Sequence, residues 1–197
     1  ELKAYGSKVL LVYGGGSIKK NGLYDTAMKI LKDAGLTVFE LSGVEPNPKI
    51  ETVRKGVEIC KNEGIDMVLA IGGGSTIDCS KVVAAGAKYD GDAWDLVLDG
   101  SKVKAALPIF DVLTLSATGT EMDPFAVISD MSKNEKWGTG SPYMVPTMSI
   151  LNPEYTFSVS KKQTAAGTAD MMSHTMENYF SMENADRHGA YILWSMS

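Results

Sequence analysis

Two glycine runs and one acid–histidine pair carry the residue types most able to do chemistry in this chain. The first run is "VYGGGS", ending in Gly14, Gly15, Gly16 and Ser17; the second is "LAIGGGSTIDCSK", with Gly72, Gly73, Gly74 and Ser75 at its turn. Each follows an apolar stretch and leads into a polar, helix-like one. Bare backbone lets N–H groups approach a phosphate closely, and the N-terminus of a following helix adds partial positive charge. A tight strand-to-helix turn without a ligand would also use glycine. Both common nucleotide fingerprints fail: Ser80 precedes Lys81 where a P-loop needs glycine, and Ile77 stands where G-x-G-x-x-G needs its third glycine. The residues alone therefore indicate a phosphate or dinucleotide site of unspecified type.

The pair is Asp170 and His174, four apart in "GTADMMSHTMEN" and so on one face of a helix. A carboxylate and an imidazole at this spacing can grip one metal ion, while an ordinary surface pair or a satisfied buried histidine fits the same spacing. His188 lies fourteen residues further on, with Gly189 marking a break, and is not promoted to a ligand. Met171, Met172, Met176 and Met182 read as core filling.

Strands and helices must alternate to place the glycines. Apolar runs at 8–13, 36–41 and 66–71 read as buried strands, and segments 24–35, 45–64 and 75–87 carry turn and helix signals. Parallel strands need helical crossovers, so this succession predicts an α/β fold with a doubly wound, Rossmann-like parallel sheet. A further strand is expected within 106–116. Segments 126–130 and 147–152 read as short extended pieces, with a hairpin inserted around "KNEKWGTGSPYM". After Pro153 the pattern turns helical, with Ser160 as N-cap. Residues 1–152 are therefore expected to form the α/β domain, and 153–197 to begin an α-helical one.

The net charge of −5 argues against a nucleic-acid partner, and no apolar run is long enough for a membrane span. Two cysteines build no disulfide framework, which agrees with a reduced, cytoplasmic setting.

Taken together, "VYGGGSIKKNGL", "GVEPNP", "LAIGGGSTIDCSK", "LTLSATGTEMDPFAVI", "LNPEYTFSVS" and "GTADMMSHTMENYF" resemble the iron-containing alcohol dehydrogenases, especially the NADPH-dependent butanol dehydrogenase branch. The resemblance implies a dehydroquinate-synthase-like α/β domain followed by a helical, metal-binding domain that is truncated here. It implies an oxidoreductase moving hydride between NAD(P)(H) and a primary alcohol or aldehyde such as butanol or butanal. On that reading Gly72–Ser75 cradles the pyrophosphate and Asp78 lies near the nicotinamide. Thr114, Leu115 and Thr118 line the cleft, Lys136 reaches toward the cofactor, and Gly14–Ser17 sit by the adenosine ribose. Some relatives carry aspartate at the position of Gly14, so glycine favours NADP over NAD, against which stands Glu40 at the end of the second strand. Asp170 and His174 match the first two ligands of an iron or zinc ion acting as Lewis acid. Family members run to about twice this length and form dimers, so a homodimer is expected of the full-length parent. Two alternatives stay open: a nucleotide-binding module without catalytic activity, and a dehydroquinate-synthase-like lyase, which the two histidines disfavour.

Overall fold

The computed structural model describes residues 1–181. The chain divides into two compact units, Glu1–Thr156 and Phe157–Ser197.

In the first unit, β1 (Lys8–Tyr13), β2 (Thr37–Leu41), β3 (Met67–Gly72), β4 (Ile109–Leu113) and β7 (Met148–Ile150) form one sheet in the order β2-β1-β3-β4-β7. All four pairings are parallel. The crossovers include α1 (Ser17–Lys20), α2 (Leu23–Asp33), α3 (Ile50–Glu63), α4 (Gly74–Gly86) and the short α5 (Ala93–Leu98). β1 and β3 are buried almost throughout, as strands covered on both faces must be. Leu10, Val12 and Val68 pack under α3 and α4, whereas Val9, Leu11, Met67 and Leu69 face the α2 side. The doubly wound parallel sheet expected from the alternating pattern is present.

From β1 the chain steps outward to β2, then returns to the other side of β1 as β3. A crevice opens at such a reversal of winding, outside the carboxyl ends of the strands. Gly14 follows β1 and Gly73 follows β3, so both glycine runs flank it.

Segment 125–150 holds the extended pieces and a hairpin as expected from sequence, with a different pairing. The hairpin pairs β5 (Phe125–Asp130) with β6 (Glu135–Gly140), making 126–130 one of its own strands. Residues 148–150 instead join β4 at the edge of the main sheet. Helix α5 lay in a stretch whose pattern had loosened, because six residues are too few to display a period. Its start is nonetheless well made. The Asp92 carboxylate accepts from Trp94 N at 2.8 Å and holds Arg54 through two bonds of 2.8 and 3.1 Å. Asp92→Ala is expected to cost about 1 kcal/mol, mostly the lost cap, since the ion pair is solvent-screened. Urea unfolding of the pair of proteins checks this, and an unchanged midpoint would refute it.

Both thiols, Cys60 and Cys79, are free and buried, and burial pushes that of Cys60 up to about 12. In the second unit, α6 spans Lys161–Ser181, and Ser160 Oγ accepts from Gln163 N at 3.3 Å as its cap. Met171, Met172 and Met176 are exposed on this helix, not packed as core. Among the described residues of its unit α6 is the sole helix. Met182 and His188 lie outside the described residues. No described helix is long and apolar enough to cross a membrane.

Candidate functional site

The second glycine run changes direction within three residues, from the last position of β3 to the first turn of α4. Gly73 occupies the N-cap without a side-chain cap bond, and its backbone oxygen accepts from Thr76 N at 3.0 Å and Ile77 N at 3.2 Å. Space explains the glycines. A Cβ on Gly72 would stand 2.5 Å from Thr76 Oγ1, one on Gly73 would meet Leu115 at 3.2 Å, and one on Gly74 would lie 2.7 Å from Thr118 Oγ1. The loop after β4 therefore lies directly against the glycines, and Thr114 N donates to Gly72 O at 2.9 Å. The first run adjoins the second: a Cβ on Gly14 would approach Val44 O at 3.4 Å and Thr76 Oγ1 at 3.9 Å, both ordinary contacts. Gly16 adopts φ 117°, a left-handed conformation that disfavours side chains.

Lys136 projects from β6 and donates to Asn47 Oδ1 at 2.7 Å. Asn47 N donates in turn to Ser75 Oγ at 3.3 Å, so a cation is linked through one amide residue to the glycine turn. Asp78, one turn further along α4, accepts from Thr120 Oγ1 at 2.6 Å and from Val127 N at 2.9 Å. Burial raises its carboxyl above the usual range, while those two hydrogen bonds oppose the shift. The positions of Gly72, Gly73 and Gly74 thus adjoin Thr76, Leu115 and Thr118, that of Gly14 approaches Thr76, and Lys136 reaches the turn through Asn47 and Ser75.

Several residues near this mouth were not singled out from sequence. Lys81, which in sequence follows Ser80 and so fails the P-loop spacing, is wholly buried. Its ammonium lies 2.7 to 2.9 Å from Thr120 Oγ1, Asp123 O, Asp123 Oδ1 and Phe125 O, pinning the 120–125 loop to α4. Asp111, an acid inside the apolar strand β4, is buried beside Ser149; the lone charge in "PIFDVL" was the available signal. Glu40 is already engaged: Tyr13 and Tyr24 donate to its two oxygens at 2.6 and 3.0 Å, and Lys19 sits over both rings. A cleft of about 310 Å³ at the ends of β4 and β7 is lined by residues including Leu113, Ser116, Glu121, Leu151 and Asn152.

In the second unit, Asp170 Oδ1 and His174 Nε2 stand 3.7 Å apart on one exposed face of α6. Oxygen and imidazole donors suit iron or zinc in kind. Among the described residues no third His, Cys, Asp or Glu joins them.

The family model for iron-containing alcohol dehydrogenases matches residues 1–153. An NADH-dependent butanol dehydrogenase of Clostridium acetobutylicum is 62% identical over 192 residues, covering 98% of this chain and 48% of that protein. An NADPH-dependent aldehyde reductase of Escherichia coli is 40% identical, covering 88% and 45%. The crystal structure of an NADH-dependent butanol dehydrogenase from Thermotoga maritima superposes with a TM-score of 0.86 at 49% identity, over 91% of this chain and 45% of that one. The chain spans about half the length of the curated relatives it matches.

Proposed function

We propose that this chain, which belongs to the iron-containing alcohol dehydrogenase family, is the dinucleotide-binding part of an enzyme interconverting primary alcohols and aldehydes. One observation carries the cofactor half: two glycine runs flank the same crevice where the sheet reverses its winding. The pyrophosphate would lie over Gly72–Ser75, where the N-terminus of α4 supplies N–H groups and positive potential. Thr114, Leu115 and Thr118 would wall the nicotinamide half against water. Asp78 would act indirectly, through its bonds to Thr120 and Val127, by holding the hairpin that carries Lys136. Residues 1–152 would form the cofactor domain and 153–197 the beginning of the metal-binding one.

Asp170 and His174 would supply two ligands to a ferrous or zinc ion, which when bound provides Lewis acidity at the substrate oxygen. Among the described residues these two donors stand without a third, few for a catalytic site, and a nucleotide-binding module without turnover is the second reading. Metal titration of this chain separates the readings. Uptake that weakens in Asp170→Ala supports the metal site, and no uptake supports the module.

On cofactor choice, the two positions that could oppose a 2′-phosphate are those of Gly14 and Glu40. Gly14 has no side chain, and Glu40 is held by two phenols. NADPH should therefore be accepted beside NADH, the cofactor in the names of several relatives. Gly14→Asp fits sterically, since its Cβ meets only ordinary contacts. Its charge should weaken NADPH relative to NADH by about tenfold, about 1.4 kcal/mol. Calorimetric titration with both cofactors reads the ratio, and an unaltered ratio would remove Gly14 from the ribose site.

A further inference from the structure

Strand β4 places Asp111 between Ala70 of β3 and Ser149 of β7. Ser149 Oγ lies 2.6 Å from Asp111 Oδ2 and 2.8 Å from the backbone oxygen of Glu121. A hydroxyl has one proton and cannot donate to both. With Asp111 ionised, the serine proton is drawn to the carboxylate, and two oxygens without a proton between them face each other at Glu121. With Asp111 protonated, Asp111 donates to Ser149, Ser149 donates to Glu121 O, and every short contact carries a hydrogen. The other oxygen, Asp111 Oδ1, is buried without a partner among the described residues. That is costly for a charged carboxylate and much less so for the carbonyl oxygen of a neutral acid.

The charged groups facing Asp111 agree. Lys81 from α4 is the neighbouring cation, but its ammonium is surrounded by Thr120, Asp123 and Phe125. Glu121, from the loop after β4, adds negative charge, and β3 presents only Ala70. Burial, the largest effect, pushes the Asp111 carboxyl up to about 6, with Glu121 adding to the rise and Ser149 and Lys81 opposing it.

We propose that in mildly acidic solution Asp111 is the neutral acid and there serves as a positioning residue. Through Ser149 it fixes Glu121 and the 114–121 loop, so loss of its proton loosens the wall of the cofactor cradle. The link to the cradle is short: Leu115 and Thr118 of this loop touch Gly73 and Gly74, and Glu121 lines the neighbouring cleft. The cofactor part of this inference rests on the function proposed above; the protonation state does not.

The test follows the carboxyl carbon-13 signals of aspartate against pH in the 197-residue chain, assigning Asp111 by its absence in Asp111→Asn. A midpoint near 6 is expected, against about 3.9 for an ordinary aspartate, and titration in the ordinary range would overturn the proposal. The sign for stability follows. A raised folded-state value means the contribution is complete below about pH 3.9 and is lost as pH rises through about 6. Asparagine can donate to Ser149 at every pH, so the difference between Asp111→Asn and wild type should grow in favour of the variant across that window. NADH affinity should fall over the same window in wild type and stay level in Asp111→Asn. Equal pH profiles in both would overturn the positioning role. Absence of NADH binding at every pH would instead count against the cofactor site, leaving the carboxyl titration to decide the protonation state.

Discussion

Replacing Lys81 with methionine should destabilise the first unit by about 3 to 5 kcal/mol, because it removes one partner from a buried ionic network. Methionine keeps much of the apolar stem, so little of the loss would come from an empty cavity. The cost lies in the abandoned acceptors, namely the Thr120 hydroxyl, the Asp123 carboxylate and the carbonyls of Asp123 and Phe125. Asp123 is 33% exposed and can recover some solvation, which places the loss toward the lower end of that range. Cofactor affinity should fall as well, since Thr120 also orients Asp78. Urea denaturation gives the stability directly. A loss below about 1 kcal/mol would show the network to be worth no more than an exposed ion pair.

Gly74→Val is expected to do the opposite, sparing the fold and abolishing the site. Valine replaces glycine in the first turn of a helix, where intrinsic preference changes by only about 0.5 kcal/mol. Its Cβ, however, would begin 2.7 Å from Thr118 Oγ1. Thr118 must swing away, and two further methyls would project over the turn where the pyrophosphate needs bare backbone. NADH affinity should drop at least about 100-fold, equivalent to about 2.7 kcal/mol, with the thermal midpoint nearly unchanged. Retained affinity would mean that the second glycine run is a packing turn against Leu115 and Thr118 and nothing more.

The parallel core was legible because strands buried on both faces read as continuous apolar runs, and "KVLLVY" and "DMVLAI" lie within one residue of β1 and β3. In the segment from Ala93 to Ile150 the strand expected within 106–116 holds β4, and the extended pieces at 126–130 and 147–152 match β5 and β7, but α5, β6 and the strand pairings were not legible. Its helix has six residues and its edge strand three, too short for either period to show, and β6 contains two glycines. Half of the candidate site was readable for a related reason. Glycine turns announce themselves locally, so their placement beside the crevice followed from the strand pattern. Asp111–Ser149 and Lys81–Asp123 join residues 38 and 42 apart, and only the folded sheet and hairpin bring them together. The resemblance pointed to the family that the comparisons identify, but it could not reveal that Glu40 is engaged by Tyr13 and Tyr24.

The most direct test of the central claim is the amide spectrum of the nitrogen-15-labelled chain titrated with NADH. The largest shifts are expected on Gly73, Gly74 and Ser75, with Gly14–Ser17 and Leu115–Thr118 following, and they should vanish in Gly74→Val. Saturating NADH that leaves these amides in place, or moves a different surface, would contradict a cofactor site at the winding reversal of the sheet.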